Sequence, residues 1–209
     1  MKQPYHHGAL RAALLDAAET ILEDKGITAL TLRAAARQAG VSHAAPAHHF
    51  GDLAGLLSEL AASGFVRLRE QILAERKAAG SSPRARILAL GRAYVRFARK
   101  SPGLFQLMFR SERLDWSSAT LSTAGASAFA LLTQTDAEIP LHVPALDSET
   151  LTAATARWSL MHGLSTLLVD GRLAAMSEKV PGVNLEQLIE EVLTRGLSPE
   201  DEASDGAAP

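Results

Sequence analysis

Residues 31–50 read TLRAAARQAGVSHAAPAHHF, and the groups able to make directed contacts gather in the second half. Ser42, His43, His48 and His49 carry donors that can reach phosphate oxygens or base edges, while Ala44 and Ala45 are small enough to meet a thymine methyl. Arg33, upstream, is a cation suited to a phosphate. Thr31, Arg33, Ser42, His43, Ala44, Ala45, His48 and His49 therefore form the candidate DNA-facing set. Internal packing is the plainer role for His49. The adjacent pairs His6-His7 and His48-His49 do not suit a metal, because neighbours on a helix point about 100° apart. No carboxylate completes a ligand set at useful spacing. Neither a metal nor a cofactor is expected.

These residues need a scaffold, and the same segment supplies one. The Thr31 hydroxyl can cap a helix by accepting from a free backbone N–H. Ala34 to Ala39 give a small-residue surface that a second helix can approach closely. Gly40 falls where the helix must end in a left-handed conformation, Val41 offers an apolar contact beyond it, and Ser42 is placed to cap the next helix. Helix, glycine turn and capped helix make a helix-turn-helix, whose second helix enters a DNA major groove. The spacing alone equally suits an αα-hairpin in any bundle. Pro46 would be the fourth residue of a helix capped by Ser42, where its missing N–H removes the first intrahelical bond. A distorted first turn follows, or a helix starting one or two residues later.

Helical periodicity extends to both sides. Leu10, Leu14, Ala17, Ala18 and Ile21 share a face, with Gly26 as a stop. Asp52 can cap a long helix carrying Leu53, Leu56, Leu57, Leu60, Phe65, Leu68 and Ile72. Gly80-Ser-Ser-Pro83 breaks that helix, and Pro83 suits the first turn of the next, which runs to about Lys100. A short aromatic segment, 104–109, follows Ser101-Pro102-Gly103. Further helices are expected at 117–138, 147–170 and 184–196, with breaks at Pro140, Pro144 and Pro181-Gly182. The expectation is an all-α protein with a three-helix head at 1–51 and a longer helical domain at 52–197. A polar, acidic tail at 198–209 is expected to be disordered.

The 209 residues contain no cysteine, which excludes disulfides and thiolate metal sites. No apolar run reaches the ~18 residues of a membrane span, and the first residues lack the apolar core of a secretion signal. The expected setting is the cytoplasm, without membrane attachment. Net charge is −2, unevenly spread. Residues 1–50 hold five basic and four acidic side chains, but five of the seven histidines. Residues 64–113 hold twelve basic and three acidic groups, and residues 114–209 four and fourteen. The excess in 64–113 suits either a solvated face or an anionic ligand such as a carboxylate. Phosphate contacts supply most non-specific affinity for DNA, so the head is only weakly equipped at neutral pH. Lys2, His6, His7 and Arg11 could add an arm.

With such a head before a longer helical body, the chain resembles the TetR family of bacterial transcriptional repressors. The matching residues are Gly26, Thr31-Leu32, Ala35-Ala36, Ala39-Gly40-Val41-Ser42, His49-Phe50 and Leu56-Leu57. YHHGALRAALLDAA and GVSHAAP are similar to one branch. RFARKSPGLFQLMF and RWSLMHG resemble the branch named for a Trp-His-Gly pattern, here Trp158, His162 and Gly163. The resemblance covers about residues 5–196. It implies a homodimer that binds a palindromic double-stranded DNA operator and pairs through its last two long helices. It also implies a small-molecule effector, of unidentified chemistry, that releases the DNA. Relatives commonly carry Tyr where this chain has Ala47, Lys where it has Leu53 and Asp where it has Ala9. Two phosphate contacts per subunit are therefore missing, which should lower affinity and flatten its salt dependence.

Tyr94, Phe97, Phe105, Met108, Phe109, Trp116, Phe129, Trp158, Met161 and His162 are candidates to line an apolar effector pocket. For any one of them, core packing is the plainer role. Trp158 and His162 lie four apart on one helix face, and their N–H groups need partners when buried. A competing reading is a family member with weakened DNA contact, serving as a ligand- or protein-binding module. The chain offers no cysteine nucleophile, phosphate-binding glycine loop or metal set, so enzymatic activity is not expected.

Overall fold

The computed structural model describes residues 7–133 and 147–197. Those residues form helices and turns, without a strand. The helices are α1 (His7–Lys25), α2 (Leu32–Gln38), α3 (Ala45–Phe50), α4 (Leu53–Ala78), α5 (Pro83–Lys100), α6 (Pro102–Met108), α7 (Ala119–Thr133), α8 (Ser148–Val169), α9 (Arg172–Ser177) and α10 (Leu185–Gly196). No described helix is long and apolar enough to cross a membrane. The expected acidic tail lies outside the described residues, as do Pro140, Pro144 and positions 134–138 of the helix expected at 117–138.

The described residues pack as two compact units, one within Met1–Arg69 and Lys100–Phe129, the other within Glu70–Arg99 and Ala130–Pro209. In the first, α1 packs against α2, α3 and α6. Its core includes Leu14, Ala18 and Leu22 of α1, Ala35 and Ala36 of α2, Phe50 of α3, Leu56 and Leu60 of α4, and Leu104 and Met108 of α6. Small residues set the approach of α4 to α6, since a Cβ on Gly64 would lie 2.6 Å from Met108 Sδ. Asp52 caps α4 as its position predicts, accepting from Gly55 N–H at 2.9 Å.

Residues 104–109, read as an aromatic segment, are largely helix α6, which begins at Pro102 directly after α5. Ser101 gives this helix no side-chain cap. Pro102 has no N–H, so the free amides of the first turn are those of Gly103 and Leu104. Both donate to the carboxylate of Glu23 on α1, at 2.9 and 2.8 Å. Gly103 permits the contact, because a Cβ there would sit 2.9 Å from the Leu22 carbonyl oxygen.

In the second unit, Ile87, Leu90, Tyr94 and Phe97 of α5 are buried together with Met161 and Leu164 of α8 and Ile189 and Leu193 of α10. α5 approaches α10 at Gly91, where a Cβ would meet Leu197 Cδ1 at 2.6 Å. Arg92 grips Glu190 through Nε at 3.0 Å to each oxygen, and Arg99 reaches Glu186 at 2.8 Å. These hydrogen bonds hold both carboxyls below the usual carboxylate range. Part of the basic excess of 64–113 is thus spent on the acidic C-terminal helices. Asp147 caps α8 by accepting from Thr150 N–H at 2.7 Å, and Asn184 caps α10 through Gln187 N–H at 3.1 Å. The six-residue α9 was not expected. Its N-cap Gly171 has φ +73, a left-handed turn that separates it from α8.

Candidate functional site

The turn after α2 is closed by backbone bonds alone. Thr31 Oγ1 accepts from Ala34 N–H at 3.0 Å at the start of α2. At its end Gly40 adopts φ +68, as its position predicts. Gly40 N–H donates to Arg37 O at 3.2 Å and Val41 N–H to Ala36 O at 3.0 Å. This pair of bonds is the Schellman closure, which satisfies the last carbonyls of α2 and aims the chain into α3.

α3 begins at Ala45, so Ser42 is not its cap; the N-cap position is Ala44, without a side-chain bond. Pro46 is the reason. The Ser42 carbonyl would need an N–H at position 46 and instead accepts from Ala45 N–H at 3.1 Å, closing a four-residue turn. The first full helical bond runs from His48 N–H to Ala44 O at 3.1 Å. The helix therefore starts two residues later than a Ser42 cap would place it, with Pro46 buried in its first turn.

Among the candidate DNA-facing residues, Thr31, Arg33, Ser42, His43, Ala44 and His48 are exposed, while Ala45 and His49 are half-buried. Thr31 has its hydroxyl oxygen occupied as a cap, which leaves the hydroxyl hydrogen for an outside acceptor. His49 packs against Phe50, with ring centroids 6.2 Å apart, in keeping with a packing role. Arg37, exposed in the last turn of α2, joins the set although spacing did not single it out. Arg11 leaves the proposed arm. It lies within α1, stacks 5.6 Å over the Phe50 ring and pairs with Glu59 of α4. Lys2 and His6 lie outside the described residues. Among the described residues, no three His, Asp or Glu side chains gather to hold a metal.

The ten pocket candidates divide between the two units. Phe105, Phe109 and Trp116 join Phe65 in the first unit, with centroids of 5.4 Å for Phe105–Phe109, 5.7 Å for Phe65–Phe109 and 6.2 Å for Phe65–Trp116. Met108 is buried beside Gly64, Phe129 is half-buried, and Trp116 remains 42% exposed. In the second unit Tyr94, Trp158 and His162 form one polar chain, with Phe97 and Met161 buried. Trp158 Nε1 donates to the Tyr94 hydroxyl at 3.2 Å, and that hydroxyl lies 3.0 Å from His162 Nδ1. Tyr94 is thus the partner that the paired Trp158 and His162 required. Burial pushes the Tyr94 hydroxyl far above its usual range, so it stays neutral. Burial also lowers His162, which favours its neutral ring.

Comparison with known proteins agrees with this architecture. Residues 14–60 match the family described as "Bacterial regulatory proteins, tetR family", and residues 87–194 match "Tetracyclin repressor-like, C-terminal domain". The HTH-type transcriptional regulator BetI of Rhizobium meliloti (strain 1021) is 40% identical over 92 residues, 44% of this chain and 45% of that protein. An uncharacterized HTH-type transcriptional regulator, YobS of Bacillus subtilis (strain 168), is 30% identical over 102 residues, 47% of this chain and 51% of that one. These matches span about half the length of both relatives. A solved structure of a protein of unknown function from Rhodococcus sp. RHA1 is 35% identical, covers 95% of this chain and 100% of its own, and superposes with a TM-score of 0.73. The two matches place a helix-turn-helix module and a helical C-terminal domain in the order the structure has them, and this chain belongs to the TetR family, a family of regulators rather than enzymes.

Proposed function

We propose that the protein is a homodimeric, effector-responsive transcription regulator of the cytoplasm, acting as a repressor on a palindromic operator. Residues 1–51 serve as the reading head and residues 52–197 as the effector-binding and dimerisation domain. The observation that supports the reading is the α2–α3 turn, which leaves Ser42, His43 and Ala44 exposed just ahead of α3 and His48 exposed on it, with Arg33 and Arg37 exposed on α2. That is the placement a recognition helix needs to meet base edges while its neighbour meets phosphates.

Pairing of two chains is supported by α8. Leu151, Thr155, Ser159, Gly163 and Leu167, four apart, form an exposed and uncharged ridge. A mid-helix glycine costs about 1 kcal/mol relative to alanine. Among the described residues nothing requires it at Gly163, where a Cβ would meet no atom within 4 Å. Close approach of a partner's helix would require it. An effector that binds one arrangement of the paired chains better than the other would shift DNA affinity by that difference, and no other route exists.

A second reading has its own support, because the chain carries no Lys or Arg between Gln38 and Val66. A weakened DNA contact would leave a ligand- or partner-binding module. Selection from randomised duplexes, followed by salt titration of the winners, separates the two. The regulator reading expects palindromic enrichment, with each phosphate contact adding about 0.9 to the slope of log K against log salt. No enrichment, together with a flat salt response, would overturn it in favour of the module.

A further inference from the structure

The segment 26–65, which holds the surface proposed to meet DNA, carries no net fixed charge. Its two arginines, Arg33 and Arg37, are cancelled by Asp52 and Glu59. Between Gln38 and Val66 the basic side chains are three histidines, His43, His48 and His49. DNA affinity comes largely from cations set against phosphates, so at this surface it depends on imidazoles.

His43 is exposed just ahead of α3 and His48 is exposed on it. Among the described residues neither imidazole pairs with a carboxylate or makes a side-chain hydrogen bond. His49 differs, being half-buried against Phe50, with its ring 5.6 Å from that of His48. α3 packs against α1 and α2. From α1, Arg11 stacks over Phe50, and its charge is already paired with Glu59 of α4. α2 presents Arg33 and Arg37, both exposed. Asp52, exposed directly after α3, has one oxygen committed to the Gly55 amide. The proton state of His43 and His48 therefore decides whether this surface is neutral or gains two positive charges per chain.

We propose that DNA binding by this chain is proton-linked: His43 and His48 take up protons against phosphate, and acidification tightens the complex. The proposal rests on the regulator reading for its partner and adds a condition that regulates it. Histidine is the side chain whose ordinary titration lies between pH 5 and 8. A phosphate beside it favours the imidazolium, so the complex holds more protons than the free chain. By linkage, affinity then falls as pH rises. If phosphate raises the proton affinity of an imidazole about tenfold, each histidine strengthens binding about fivefold between pH 8.5 and pH 6.5. Two per chain give about twenty-five-fold. A neutral imidazole that merely donates its N–H to a base edge gives no such dependence.

Fluorescence anisotropy of a labelled duplex of random sequence, with the full chain, tests the proposal without needing an operator. At fixed salt the parent should bind at least about twenty-five-fold tighter at pH 6.5 than at pH 8.5. Its salt slope should steepen by about 0.9 for each imidazolium on a phosphate. His162 is kept neutral by burial over this range, so the fold retains its stability. The double variant His43→Gln, His48→Gln should lose most of the response and bind weakly at both pH values. The remaining histidines and the terminal amine titrate alike in parent and variant, so the difference belongs to the pair. His43→Lys with His48→Lys fixes the charge, and should bind at pH 8.5 at least as tightly as the parent at pH 6.5. Both positions are exposed, so folding should survive either change. Parent binding that ignores pH, an equal response in the glutamine variant, or an undiminished response in the lysine variant would overturn the proposal and leave the regulator reading standing. No binding by parent or lysine variant at either pH would overturn both.

Discussion

Replacing Glu23 by alanine should loosen the attachment of α6 to α1 by an amount that can be worked from the geometry. Pro102 leaves α6 with two free first-turn amides, and one carboxylate takes both, at 2.9 and 2.8 Å. The next amide, of Phe105, already bonds to Ser101 O at 2.9 Å. Loss of Glu23 therefore leaves the helix start without any capping acceptor. A helix cap contributes about 0.5–2 kcal/mol, and hydrogen bonds to a charged group about 1.5–3 kcal/mol. Both amides are part-buried, so water replaces the carboxylate incompletely. We expect Glu23→Ala to cost about 2 kcal/mol and Glu23→Gln, which keeps one acceptor oxygen, roughly half of that. For a chain of this length about 1 kcal/mol moves Tm by roughly 2–4 °C. Circular dichroism melts should thus show a fall of about 4–8 °C for the alanine variant and about half that for glutamine. Amide exchange over residues 101–108 should rise in the same order. A Tm within about 1 °C of the parent, with unchanged exchange at Gly103 and Leu104, would refute the reasoning.

Three further outcomes follow from the sites. Ala45→Glu should abolish operator binding while leaving the melt and the oligomeric state unchanged, because a carboxylate on α3 would face phosphate; undiminished affinity removes Ala45 from the interface. Burial keeps His162 below the usual histidine value near 6.5, so the unfolded chain binds more protons between the two values, and stability is full above about pH 6.5 and declines as pH falls below it. The Tm difference between pH 7.5 and pH 5.5 should therefore shrink in His162→Gln, and an equal difference in both proteins would count against this assignment. Ser159→Arg, on the exposed α8 ridge, should convert a dimer to a monomer in sedimentation; a dimer of undiminished affinity would move the interface elsewhere.

Local signals in the sequence carried most of the fold because each had a local cause. Gly40 at φ +68, the Thr31 cap on Ala34, and the Asp52 cap on Gly55 all depend on neighbours within five positions. Ser42 was misread for a reason that is also local. Its hydroxyl suits a cap, but Pro46 four residues on denies its carbonyl a partner, and the backbone bond outweighed the side-chain preference. α6 was harder to foresee. Its start at Pro102 is stabilised by Glu23, some eighty positions away, and spacing rules over three or four residues cannot report that.

The same distinction governs the sites. The exposure of most of the proposed DNA-facing set was legible because a helix-turn-helix groups contiguous residues, and the pair Trp158–His162 was legible because four positions make a helical face. Tyr94, sixty-four positions before Trp158, was only one aromatic among ten until the fold brought its hydroxyl within 3.2 Å of the indole nitrogen. The partners of the arginines were harder still to foresee. Arg86 of α5 bonds to the carbonyl of Gly80 and Arg157 of α8 to that of Leu132. Counting charge gave the same weight to Arg92 and Arg99, which bond to Glu190 and Glu186 on α10. What separates the two sets is partner chemistry: those facing α10 meet carboxylates, whereas Arg86 and Arg157 meet carbonyls beside leucines. A carbonyl holds a guanidinium in place without neutralising it, and only the folded chain shows which kind of partner each arginine meets.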